Sequence, residues 1–294
     1  MDWQQQLTRD QLAQRAFPTQ ARPSGGLNKT RLLIGLIIAA ISLFSYFKSS
    51  VYNPITGEKQ HVSITAQQEV ALGLESAPQM AQQYGGLHPD PKARALIDQI
   101  GRKVVAQSDA GKSGYPFQFH LLADPKTVNA FALPGGQVFI TAGLLGRLET
   151  EGQNAGVLGH EVGHVVARHS AQHIAQQELT QGLSGAVVLS TYDPSNPATG
   201  RTAAMAMLIG NLVNMKFGRE DELQSDVLGV RFMSQGGYDP RSMVGVMKVL
   251  EQAAGGARQP EFFSTHPNPE NRIAQIQEAI KEIHPGGVPP GLTP

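Results

Sequence analysis

"VLGHEVGHVVARHS", residues 157–170, decides how the rest of the chain is read. Val157, Leu158, Val162, Val165 and Val166 make the stretch apolar enough for a buried helix, yet His160, Glu161 and His164 stand among them. Ionisable groups in an apolar interior are costly unless they find partners. Residues four apart lie one above the other on a helix face, so His160 and His164 aim their imidazoles at one spot. Glu161 sits about 100° round the helix, within reach of a water at that spot. This is the H-E-x-x-H arrangement of two zinc ligands and a general base. Metal coordination makes such burial tolerable. Two core histidines satisfied by backbone carbonyls are the alternative.

A catalytic zinc takes a third protein ligand and keeps one position open. Gly at 167 and His at 170 would supply that ligand locally, but the chain has Ala167 and Ser170. His169 and His173 lie about 180° round the helix from the ligand positions and face away, as surface residues or outer supports. The stretch "REDELQSD", residues 219–226, places Glu222 and Asp226 four apart on one helix face. The Glu can close the site and the Asp can orient a ligand imidazole from behind. A solvated acidic face is the alternative, and Glu220 and Asp221 are read that way.

The whole chain has 294 residues, enough to bury a large core. Its 24 Lys and Arg balance 24 Asp and Glu, so no nucleic-acid footprint is expected. Cysteine is absent, which excludes disulfides, Cys-ligated zinc and thiol catalysis.

The first 30 residues are polar and rich in Gln and carry more basic than acidic residues. "LLIGLIIAAISLFSYF", 32–47, follows without a charge, between Arg31 and Lys48. Its length falls short of the roughly 20 residues that cross a bilayer, but flanking basic side chains can snorkel. Residues 31–48 are therefore expected to be an uncleaved transmembrane signal anchor, with 1–30 cytoplasmic and the rest beyond the membrane. A cleaved signal peptide fits less well, because the polar leader is long and no small-residue cleavage site follows.

Residues 49–65 read as a linker with a turn at "NPITG", and 66–284 as one compact domain. "ARALIDQIGRKVV" spaces Leu96, Ile97, Ile100 and Val104 as a helix; "YPFQFHLLAD" alternates as a strand. "ALPGGQVFIT" turns at Pro134-Gly135-Gly136 into another strand. "NPENRIAQIQEAIKEI" is a last helix, and 285–294 a loose tail. Residues 182–215 are apolar and helix-compatible around "DPSNPATGR", and are expected to form a mobile lid or a membrane-facing hairpin.

With these segments in place the chain resembles the HtpX and CAAX-prenyl-peptidase family of membrane-associated zinc metalloendopeptidases. It most resembles the branch with a soluble periplasmic catalytic domain. The resemblance spans about residues 66–283 and rests on "VNAFALPGGQVFITAGLL", "LGHEVGHVVARH", "FGREDELQSDVLG" and "STHPNPENRI", in family order. Gly218 and Ser225 depart from the common Ser and Ala, away from the ligands.

The resemblance implies an α+β, mainly helical, zincin-like metalloprotease domain with a small β-sheet, behind one transmembrane helix. It implies one zinc per chain, with Glu222 as third ligand and Glu161 as base for peptide hydrolysis. His266 and Arg272 are the candidates to stabilise the oxyanion, and His266 could instead be a fourth ligand that shuts the site. Gly136, Gln137, Val138 and Phe139 could take an extended substrate by strand addition, which suits unfolded or misassembled proteins. The expected place is the inner membrane, with the domain on the periplasmic side. A chaperone or assembly factor with a structural, self-blocked zinc is the alternative function.

Overall fold

The computed structural model describes residues 29–191, 216–255, 260–267 and 271–294. It is mainly helical with two small sheets. Helix α1 (Lys29–Lys48) leads into a hairpin of β1 (Ser50–Asn53) and β2 (Glu58–His61). Helices α2 (Ala66–Gln83) and α3 (Pro91–Ala106) follow, then β3 (Gln118–Leu122), β4 (Ala130–Leu133) and β5 (Gln137–Thr141). A short α4 (Ala142–Leu145) precedes α5 (Glu151–Val166) and α6 (His169–Thr191). The remainder is α7 (Arg219–Gln235), α8 (Ser242–Ala254), α9 (Phe262–Thr265) and α10 (Arg272–Ile283).

Local chemistry sets the boundaries. Asp90 caps α3 by accepting from the Lys92 amide at 2.8 Å, with Pro91 as first helical residue. Thr65 and Gln68 form a capping box on α2. The Thr150 hydroxyl accepts from the Gln153 amide at 3.2 Å and starts α5.

The core lies between α3, the three-stranded sheet, α5, α7, α8 and α10. Helix α5 runs through its centre, and every residue from Gly152 to Val166 is buried. It crosses α7 backbone to backbone. A Cβ on Gly163 would lie 3.1 Å from the Ser225 carbonyl oxygen, and one on Gly229 would lie 2.9 Å from the His160 nitrogen. Small residues at this crossing bring Glu222 and Asp226 up to the two histidines.

Several expectations change. Residues 49–65 are not a bare linker. Asn53 and Gln60 of the hairpin are buried and donate to the carbonyls of Val166 and Ala167, each at 2.7 Å. Two side chains thereby satisfy carbonyls that the end of α5 leaves unpaired. The tail is also pinned. Thr293 exchanges backbone bonds with Gly237 at 3.0 Å and Asp239 at 2.8 Å, and Gly152 donates to the Pro294 carbonyl at 2.8 Å. Backbone pairing of this kind leaves no side-chain pattern, so Pro- and Gly-rich residues read as loose.

The strand proposed to take substrate is the centre of its sheet. The order is β3-β5-β4, with β5 parallel to β3 (Gln118 opposite Gln137) and antiparallel to β4 (Ala130 opposite Ile140). Both edges of β5 are taken. Val138 is in the core, and Gln137 and Phe139 line a groove between α2 and the sheet. Gly136 turns the chain between β4 and β5 at φ 107°. Strand addition at Gly136–Phe139 is therefore ruled out by the sheet itself.

Helix α1 forms over the expected anchor, but no helix among the described residues is long and apolar enough to cross a membrane. At about 1.5 Å per residue the uncharged 32–47 run spans about 24 Å, against roughly 30 Å of bilayer hydrocarbon. Helix α1 packs along α6 instead, where Gly182 makes room for Ser42. Of the expected lid, residues 182–191 continue α6 and 192–215 lie outside the described residues.

Candidate metal centre

Four side chains from three segments meet in the core. His160 and His164 come from α5, Glu222 from the first turn of α7, and His266 from the residue after α9. Their donor atoms lie within 4.8 Å of one another and all four residues are buried. The Nε2 atoms of His160 and His164 are 3.1 Å apart. The Glu222 carboxylate lies 3.5 Å from the first and 3.4 Å from the second. His266 Nδ1 stands 2.9 Å from Glu222 Oε1 and 3.4 Å from His160 Nε2.

The surroundings fit a divalent ion. Glu161, Glu222 and Asp226 can bring three buried negative charges, and Arg272 brings one buried positive charge. With neutral imidazoles the cluster is two positive charges short, and uncompensated buried charge is strongly destabilising. Burial lowers the His160 pKa, but the Asp226 and Glu222 carboxylates outweigh it and raise it to about 9. They favour a cation at that imidazole. Burial opposes charge on Glu222 too, yet His266, His160 and His164 hold its carboxyl well below the usual range. Burial drives His164 well below an ordinary histidine. A neutral imidazole with a free Nε2 lone pair is the form that ligates metal.

Glu161 is fully buried, and neither carboxylate oxygen has a hydrogen-bond partner. Its Oε1 lies 3.5 Å from His266 Nε2, itself unpartnered. A buried carboxylate without partners calls for an explanation beyond packing. Burial pushes its pKa up, which suits a proton acceptor working near neutral pH.

Behind the cluster, Asp226 Oδ1 accepts from His160 Nδ1 at 2.9 Å. Arg272, the first residue of α10, grips that carboxylate through Nε at 2.6 Å and Nη2 at 2.9 Å, and lies 3.3 Å from Glu222. Arg272 is thus a buried clamp on two carboxylates. Nε and Nη2 are so engaged, while Nη1 has no hydrogen-bond partner.

His169 differs most from expectation. A 180° separation from the ligands requires one continuous helix, but α5 stops at Val166 and α6 begins at His169. Arg168 between them takes φ 57°, held by Glu69, to which it donates from Nε at 2.7 Å, and by the Ile64 carbonyl at 2.8 Å. The reversal brings His169 Nδ1 to 2.9 Å from His164 Nδ1. His173, one turn on, pairs with Asp221 at 2.9 Å, so Asp221 is not simply solvated. A cleft beside the cluster is lined by Met80, Tyr84, Asn129, Phe131, Pro134 and His266, and is bordered by the edge strand β4.

A mainly helical domain with H-E-x-x-H on its central helix and a carboxylate from a second helix defines a metallopeptidase of the zincin kind. Residues 91–280 match peptidase family M48, and the chain belongs to that family of zinc metallopeptidases. It is 28% identical over 264 residues to the beta-barrel assembly-enhancing protease of Escherichia coli (strain K12), covering 86% of this chain and 53% of that one. It is 29% identical over 256 residues to the mitochondrial metalloendopeptidase OMA1 of Schizosaccharomyces pombe, covering 85% and 72%. The chain therefore spans about half the length of the bacterial relatives it matches.

Proposed function

We propose that this chain is a membrane-held zinc endopeptidase that cuts unfolded or misassembled proteins in the cell envelope. The observation that carries this reading is Glu161, fully buried and without a partner beside a four-donor cluster. A purely structural zinc has no use for it. His160, His164 and Glu222 would hold the ion. When bound, zinc supplies Lewis acidity, acidifying a water and polarising the peptide carbonyl. Glu161 takes the proton of the attacking water and passes it to the departing amine nitrogen as the C–N bond breaks. Asp226 and Arg272 hold His160 in place, and the edge of β4 is where an extended substrate can add as a strand.

His266 makes a fourth donor, and a catalytic site needs a position free. We read His266 as the residue that closes the site at rest. This same closure supports the second reading, a structural zinc in a chaperone or assembly factor. Treatment with a chelator separates the two. Loss of casein cleavage in a domain that stays folded, restored by added zinc, supports the peptidase; cleavage indifferent to the chelator overturns it. His266→Ala should raise basal cleavage, and a fall would instead assign His266 to the oxyanion.

The relatives' names, one bacterial and concerned with β-barrel assembly and one mitochondrial, support an envelope site. Exposed Leu33, Ile41, Phe44 and Phe47 on α1, between Arg31 and Lys48, support holding at the inner membrane, with the catalytic domain outside the cytoplasm. A reporter active only outside the cytoplasm should work when fused after residue 60; an inactive fusion would overturn the orientation.

A further inference from the structure

His164 is the ligand candidate without a carboxylate behind it. His160 leans on Asp226. His164 leans on a second imidazole, fully enclosed, whose far nitrogen touches an amide at 2.8 Å and lies 3.7 Å from the Asp221 carboxylate. The polarity of this chain of contacts follows from hydrogen-bond inventory alone. If His164 gives its Nε2 lone pair to a metal, its proton must sit on Nδ1. That N–H points at His169 Nδ1, 2.9 Å away, which must then accept. A neutral imidazole that accepts at Nδ1 carries its proton on Nε2. His169 Nε2 lies 2.8 Å from Gln224 Oε1, an obligate acceptor. Gln224 Nε2 in turn donates to Glu58 Oε2 at 2.7 Å, on strand β2. Ser225 Oγ, 3.4 Å from His169 Nδ1, can only donate to it in this arrangement. Every link has one permitted direction, and all agree.

We propose that His169 is a positioning residue for the metal site, and that the relay His164–His169–Gln224–Glu58 fixes the tautomer and orientation of the His164 imidazole. The proposal rests on the reading of His160, His164 and Glu222 as zinc ligands. Burial of His169, with 1% of its surface exposed, supports it: both ring nitrogens meet protein partners rather than bulk water. The left-handed Arg168 supports it independently. A non-glycine residue holds that conformation only where its surroundings fix it. Here the strain is held by a buried ion pair with Glu69, and its consequence is to return His169 to His164. The asymmetry has a chemical result. A carboxylate partner makes a ligand imidazole more basic than a neutral partner does. His160 is thus the strongly held ligand and His164 the more weakly held one, with the difference set by Asp226 and His169.

The experiment measures zinc affinity by competition with a chromophoric chelator, alongside the melting temperature of each zinc-free protein. His169→Phe keeps the bulk and removes the acceptor; zinc should bind about 10- to 100-fold more weakly. His169→Asn places an amide oxygen where Nδ1 was and should remain within a few-fold of wild type. Gln224→Leu should weaken zinc, and adding it to His169→Phe should cause little further loss, because the two act through one chain. The zinc-free proteins should melt close together.

Equal zinc affinity in wild type and His169→Phe would overturn the relay. So would His169→Asn binding as poorly as His169→Phe, since that makes the role one of packing. If His169→Phe does not fold, Gln224→Leu decides, and unchanged affinity there overturns the proposal. Wild type and Glu222→Ala serve as references. Failure of the metal-site reading shows as wild type that takes up no stoichiometric zinc, or as Glu222→Ala that stays fully loaded. Failure of the relay alone shows as a loaded wild type indifferent to residue 169.

Discussion

Glu222 and Asp226 sit one turn apart on α7 and face different partners. Glu222 stands against the Nε2 atoms of both histidines, whereas Asp226 stands against the Nδ1 of one. Their substitutions should therefore differ in kind. Glu222→Ala removes a donor from the cluster and should lose zinc and cleavage together; metal analysis that finds the variant fully loaded would refute its place among the ligands. Asp226→Asn leaves the donors intact and should weaken zinc by roughly 10-fold, the usual scale for a partner behind a ligand. Undiminished affinity would show that Arg272 and the packing suffice.

These residues could be read from the sequence because i, i+4 spacing maps directly onto one helix face. His169 could not, since its place depends on where α5 ends. Arg168 carries no local sign that it will adopt a left-handed conformation. The buried Glu69 that holds it lies 99 residues earlier. Arg272 stands in the "STHPNPENRI" motif of the resemblance, but its burial against Asp226 is a tertiary fact.

At the scale of elements, the site is made by one crossing. Helices α5 and α7 touch through Gly159, Gly163, Ser225 and Gly229. Gly229→Val would force a branched side chain against the His160 backbone. Overpacking of this kind costs roughly 1–3 kcal/mol, and separating the helices should also weaken zinc. Urea denaturation and metal titration measure both effects. A variant unchanged in both would mean that the helices do not rely on this contact.

The sequence showed the helix and strand periods of α3, β3, β5 and α10, whose apolar spacing is local. It did not show the pairing order of the sheet. A turn at Gly135-Gly136 joins β4 to β5, but nothing in either strand says that β3 takes the other edge of β5. The hairpin of residues 50–61 was hidden for a similar reason. Its alternation is polar, and what fixes it is Asn53 and Gln60 bonded to the end of a helix more than 100 residues away.

For the molecule as a whole, the buried charge is the controlling quantity. A metal cluster that encloses Glu161, Glu222 and Asp226 against one guanidinium should be weaker without its ion. At a thousandfold excess over Kd, a bound ligand adds about 4 kcal/mol, which for a domain of this size corresponds to a melting shift on the order of 10 °C. Calorimetry before and after chelation measures this. An unchanged melting temperature would mean that no ion is held in the core. The membrane attachment proposed above is assigned to α1. Removing residues 1–48 should release the protein into the soluble fraction, and continued sedimentation with membranes would place the attachment elsewhere.

The central claim is that the buried cluster works as a peptidase with Glu161 as its base. The most direct measurement compares wild type with Glu161→Gln, recording zinc content and casein cleavage on the same samples. Glutamine keeps the size of the side chain but cannot accept the proton. Both proteins should carry one zinc per chain, and cleavage by the variant should fall by at least about 100-fold. Cleavage by Glu161→Gln at the wild-type rate would contradict the account.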